Sequence, residues 1–107
     1  GMAFRVPTPS CSVVDLNIIL EKKTTSLEIN NLFTQYSKDK LKGILDVTSE
    51  NLVSIDFLGN SHSSIIDLNS TLEIGDNMFK IVSWYDNEWG YAHRTIDLVQ
   101  ILSTKLD

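Results

Sequence analysis

The sequence predicts an α+β fold, a mostly antiparallel mixed sheet with one covering helix and a C-terminal helix. Three features predict it. Short apolar runs between Val13 and Trp84 are separated by brief, turn-rich stretches. One amphipathic stripe opens on a capping box at Thr25, and a second runs from Tyr91 to Leu106. The brevity of the connections favours antiparallel neighbours, because parallel strands need long crossovers.

In chain order, Arg5 to Pro9 reads as extended backbone, since Pro7 and Pro9 fix their own φ and steer the preceding residues away from the α region. The first strand follows with period-2 alternation. Val14, Leu16, Ile18 and Leu20 share one face, Asp15 and Asn17 the other, and Val13 and Ile19 imply partial cover of that second face. Glu21, Lys22 and Lys23 end the strand in water. Thr25-Ser26-Leu27-Glu28 has capping-box spacing, so a helix starts there. Ile29, Leu32, Phe33 and Tyr36 form its buried stripe, which fades over Ser37 to Lys42 before Gly43. Strands are predicted at 43–47, 52–58, 64–68 and 78–84, with Leu72 and Ile74 adding a further short strand or a loop plug. The last helix carries Ile96, Val99 and Leu102, widened by Leu98, Ile101 and Leu106. Arg94, Asp97 and Gln100 are left to face water.

Composition bounds the function. Apolar residues at 42% and charged residues at 21% describe an ordinary globular chain, one domain or part of one, rather than a disordered or fibrous one. A net charge of −5 argues against a nucleic-acid surface, and the one basic cluster, Lys38, Lys40 and Lys42, alternates with Asp39 as a solvated helix end. No run approaches the length of a membrane span, no charged-then-apolar leader opens the chain, and a single cysteine, Cys11, forms no internal disulfide; a cytoplasmic location is the expectation. The leading Gly-Met fits either a tag remnant with a start codon or internal sequence.

The densest chemistry lies in Ser83-Trp84-Tyr85-Asp86-Asn87-Glu88-Trp89-Gly90-Tyr91, at a strand-to-helix turn where open sheets tend to place ligand contacts. Asp86 and Asn87 are both good N-cap types, and an Asn amide can pair with another carboxamide, a ring edge or a peptide group. By residue type alone, Asn87 is a helix cap or a ligand contact, and Trp84, Tyr85, Trp89 and Tyr91 are core or pocket wall. His62 and His93, without neighbouring ligand spacing, make no metal site. Asp15, Asp56 and Asp67 read as solvent-facing strand positions. Arg94 reads as a surface or inter-element salt bridge, and Arg5, by type, as a strand-edge arginine paired with a carboxylate.

WYDNEWGY before an apolar helix, preceded in order by GMAFRVPTP, SVVDL, LKGIL and NSHSSI, resembles the last third of phosphorylating glyceraldehyde-3-phosphate dehydrogenase along nearly the whole chain. Erythrose-4-phosphate dehydrogenases usually have Cys and Phe at the positions of Tyr85 and Tyr91, which favours the former enzyme. The resemblance implies that residues 1–87 belong to the catalytic domain, and that 88–107 form a helix packing on a dinucleotide-binding domain absent from this sequence. It also implies that Asn87 bonds the nicotinamide carboxamide of NAD, that Tyr91 lies beside the ring, and that Arg5 binds a phosphate of the substrate or the attacking inorganic phosphate. The intact enzyme, a homotetramer of glycolysis, forms a hemithioacetal on its cysteine, passes hydride to NAD and releases 1,3-bisphosphoglycerate. The family's cysteine and histidine motifs lie upstream of this sequence, so Cys11 is expected to be a packing residue and the isolated chain to be inactive. The alternative is a non-catalytic binding or self-association module derived from that domain, using an apolar face left exposed.

Overall fold

The computed structural model describes residues 1–106. Five strands and two helices follow an irregular, exposed N-terminal segment: β1 (Ser12–Ile19), α1 (Ser26–Lys38), β2 (Leu45–Thr48), β3 (Ser64–Asp67), β4 (Leu72–Ile74), β5 (Met78–Tyr85) and α2 (Trp89–Lys105). The sheet runs β1-β5-β3-β2, with β4 also on β5. β5 is its centre. Its whole length pairs antiparallel with β1, from Ser12 opposite Tyr85 to Ile19 opposite Met78. On its other edge β4 takes the beginning and β3 the end, both antiparallel. Gly75, at φ +68°, supplies the left-handed residue that closes the β4–β5 turn.

The capping box forms as its spacing predicts. Thr25 Oγ1 accepts from Glu28 N and Glu28 Oε2 accepts from Thr25 N, each at 3.2 Å. The Glu28 carboxyl, bonded first by the Thr24 hydroxyl and then by the Thr25 N–H, is held below the usual carboxylate range. From this start α1 lays Ile29 and Phe33 on the sheet, where they pack with Leu45, Ile66, Phe79 and Ile81. A second cluster on the opposite face joins Cys11, Phe57 and Ile65, with Trp84 stacked on Phe57 at a 5.2 Å ring separation.

Several expectations are corrected. Residues 52–58 form no strand: Ser54–Phe57 is a 3-10 turn. The alternation of Val53, Ile55 and Phe57 imitates a strand, yet only Phe57 is buried. Asp56 Oδ2 accepts from Val53 N at 2.8 Å, and this local bond favours the turn over a ladder. With that strand gone, the β2–β3 connection is long enough for a parallel pair, which is what forms. Asp56 thus caps a turn, and Asp67 accepts from Asn69 N, while Asp15 pairs diagonally with Lys80 across the β1–β5 ladder at 2.9 Å; they make no joint carboxylate set.

β1 is less buried than its alternation predicts. Ile18 and Leu20 reach the core, but Val14 and Leu16 remain exposed, because α1 covers only part of that face and β1 is an edge strand. On α1, Leu32 and Tyr36 stay exposed as well.

α2 departs most from expectation. Arg94 turns toward the body of the chain instead of toward water, with the half-exposed Asp97 beside it. Arg94 Nη1 donates to the Gly43 carbonyl at 3.0 Å, and its Nε lies 2.9 Å from Asp97 Oδ2. Ile96, Leu98, Val99, Ile101 and Leu102 consequently face solvent, each more than half exposed. The chain is extended for its size. Its radius of gyration is 15.6 Å, against about 13 Å for a compact domain of this length. Its accessible surface is 7902 Å², against about 6,000 Å² for a compact monomer of this mass.

Candidate functional site

The β5–α2 turn is built around a buried acid. Asp86 is 4% exposed, and both carboxylate oxygens are occupied: Oδ2 accepts from Gly59 N at 2.8 Å, and Oδ1 from Glu88 N at 3.2 Å and Trp89 N at 3.0 Å. Two of these donors are orphan N–H groups at the start of α2, so Asp86 performs the capping that its residue type allows. The third ties the turn to the loop after Phe57. The Gly59 bond first, then that from Trp89, holds the carboxyl below the usual range, against the opposing push of burial.

Gly90 completes the seat of α2. A Cβ there would lie 3.0 Å from the His62 carbonyl oxygen, so any larger residue would have to push the loop back by a few tenths of an ångström. His62 itself bonds Asn60 Oδ1 through Nδ1 at 2.8 Å and lies 3.9 Å from Asp46, whereas His93 contacts the Trp89 carbonyl; the two serve separate local networks.

With Asp86 turned inward, Asn87 points out. It does not cap α2. Its amide meets the first residue of β1: Ser12 Oγ is 3.0 Å from Oδ1 and 2.7 Å from Nδ2. The antiparallel register creates this contact, because Ser12 stands opposite Tyr85 and Asn87 follows two residues later. Tyr91, on the first turn of α2, is 76% exposed, while Trp84 is part of the second core cluster. Asn87 and Tyr91 are thus both accessible, four residues apart where α2 begins.

Arg5 is exposed on the irregular N-terminal segment and makes no hydrogen bond or ion pair among the described residues, so the carboxylate partner that its type suggests does not form. The segment turns into β1 at Cys11, whose φ of +70° is unusual for a side-chain-bearing residue. Cys11 is buried beside Phe57 and Ile65, and burial, followed by the nearby Asp86 charge, pushes its thiol pKa up. A protonated, enclosed thiol is a poor nucleophile. The packing role expected for it agrees with this environment.

Reasoning from sequence missed Ser12 and the distinction between Asp86 and Asn87. The signal for the first was weak, a serine opening a strand. The second depends on Gly59, far away in sequence.

Comparison with known proteins identifies the family. The family model "Glyceraldehyde 3-phosphate dehydrogenase, C-terminal domain" matches residues 1–87. A cytosolic glyceraldehyde-3-phosphate dehydrogenase of Ginkgo biloba is 54% identical over 99 residues, covering 92% of this chain and 29% of the relative. The enzyme of Glossina morsitans morsitans is 49% identical over 105 residues, covering 98% and 32%. A chloroplastic form from Arabidopsis thaliana is 50% identical over 103 residues, covering 96% and 26%. The chain thus spans about a third of the length of these relatives, and the matching model is that of their C-terminal domain. This chain belongs to the glyceraldehyde-3-phosphate dehydrogenase family, as its C-terminal domain.

Proposed function

We propose that this chain is the C-terminal part of a phosphorylating, NAD-dependent glyceraldehyde-3-phosphate dehydrogenase. In it Asn87 binds the carboxamide of the nicotinamide, Tyr91 lies beside the ring, and Arg5 binds a phosphate group of the substrate or the attacking inorganic phosphate. Residues 1–87 serve the catalytic domain and 88–107 dock on the dinucleotide-binding domain. The reaction is the glycolytic conversion of glyceraldehyde 3-phosphate to 1,3-bisphosphoglycerate in a cytosolic homotetramer, with the cysteine nucleophile and histidine base contributed by the rest of the enzyme. The isolated chain is inactive.

The observation that carries this reading is the state of the Asn87 amide. A carboxamide ligand presents a donor and an acceptor, and an outward Asn amide on an anchored turn can answer either, because its bonds to Ser12 leave one Nδ2 hydrogen and one Oδ1 lone pair. NAD, when bound, supplies the hydride acceptor. The task of Asn87 is to hold one ring orientation, because a misplaced ring forfeits the geometric advantage of the site. Arg5 suits its role by its planar fork, which donates paired hydrogen bonds to phosphate oxygens, and by having no competing internal partner among the described residues. Asn87→Ala in the full-length chain is expected to weaken equilibrium NAD binding by about tenfold, the loss of one or two net hydrogen bonds, with a parallel fall in kcat/KM. Unchanged NAD affinity in a folded Asn87→Ala enzyme contradicts the reading.

A further inference from the structure

We propose that Ser12 is a positioning residue that acts on the cofactor through Asn87. The inference rests on the reading of Asn87 as the carboxamide contact and adds to it the group that fixes the side chain.

An Asn side chain on an exposed turn rotates about two bonds, and each ligand that it binds must first stop that rotation. Asn87 is stopped beforehand. Its backbone is fixed on one side by Tyr85, the last residue of β5, and by the buried Asp86, and on the other by Glu88 and Trp89, whose N–H groups both donate to Asp86 Oδ1. Its amide is then met by Ser12 Oγ, 3.0 Å from Oδ1 and 2.7 Å from Nδ2. A hydroxyl both donates and accepts, so it can accept one Nδ2 hydrogen and donate to one Oδ1 lone pair. One N–H and one lone pair remain free on the amide. They lie on opposite flanks of the amide, and either can pair with a ligand carboxamide.

Ser12 is itself held firmly. It forms the terminal rung of the longest ladder in the sheet, opposite Tyr85, and it follows Cys11, whose left-handed backbone is kept in place by burial against Phe57 and Ile65. The hydroxyl is therefore anchored to rigid structure rather than to a loop, as a supporting group must be to orient another side chain.

The test is a double-mutant cycle in the full-length chain, read by equilibrium NAD titration and by KM and kcat. Ser12→Ala is expected to raise the NAD dissociation constant roughly 3- to 10-fold, the scale of one net hydrogen bond. KM for NAD should rise by a similar factor, and KM for the aldehyde should stay within about twofold. Ser12→Thr, which keeps the hydroxyl on a residue suited to a strand, should retain near wild-type affinity. In an Asn87→Ala background, Ser12→Ala should change the NAD dissociation constant less than about twofold, since a residue that acts through another has nothing left to act on. An equal effect of Ser12→Ala in both backgrounds, or no effect in the wild-type background while Asn87→Ala weakens binding, overturns the role of Ser12 alone. If Asn87→Ala leaves NAD binding intact, the reading of Asn87 and this inference fall together.

Discussion

Asp86→Ala is expected to destabilise the domain by about 3 kcal/mol, combining the loss of a helix cap with the loss of the charge-assisted bond from Gly59 N. The effect should exceed that of Asn87→Ala on stability, because Asn87 is exposed and caps nothing. It also has a pH signature. The folded Asp86 carboxyl titrates below its unfolded value of 3.8, so the folded state favours the ionised form. Its stabilising contribution is complete above that value and is lost as the pH falls through the folded value. Asp86→Asn, which keeps the shape but cannot ionise, should therefore be less stable than wild type at neutral pH. The difference should shrink below about pH 4, as protonation removes the wild-type advantage. Thermal melts of the two full-length proteins between pH 3 and pH 7 test this. A difference that does not vary with pH contradicts the role of the charge.

The second large effect concerns α2. Its outer surface carries Ile96, Leu98, Val99, Ile101 and Leu102, while Arg94 is directed inward. A helix placed this way has its apolar side turned to whatever lies beyond the chain. The excess of roughly 1,900 Å² over the surface of a compact monomer is more than one side of a standard protein interface. The isolated 107-residue chain is expected to self-associate through this surface, and Val99→Lys with Leu102→Lys, one turn apart, to return it to monomer. In the full-length chain the same pair should disrupt docking and abolish most activity. Sedimentation velocity of both forms is the check. A wild-type chain that is monomeric alone, with a full-length double variant that assembles normally, contradicts the docking role.

What could be read in the sequence was what local chemistry decides. The capping box of α1 needs only Thr25 and Glu28, three residues apart, and it formed as expected. β5 was legible because Phe79 and Ile81 alternate within one apolar run bounded by Gly75 and Asn77. The same rule failed at Val53, Ile55 and Phe57, where an equally good alternation was overridden by the Asp56 side chain bonding Val53 N. The parallel β2–β3 pair was hidden because it joins residues far apart, and its long connection was itself concealed by the mistaken strand. At the site, both Asp86 and Asn87 looked like caps. Only the approach of Gly59, and of Ser12 on the neighbouring strand, decides which one turns inward and which is left to face a ligand. For α2, periodicity revealed an apolar face but not its direction, which is set by where Arg94 finds the Gly43 carbonyl.

The proposed function requires this chain to work as one part of a longer enzyme. The most direct test is the intact mass of the endogenous gene product that contains it. A mass about three times the chain's 12.1 kDa is predicted, since the chain covers 29% and 32% of two relatives. A mass equal to that of the chain would contradict the catalytic account and leave a self-associating module without a dehydrogenase around it.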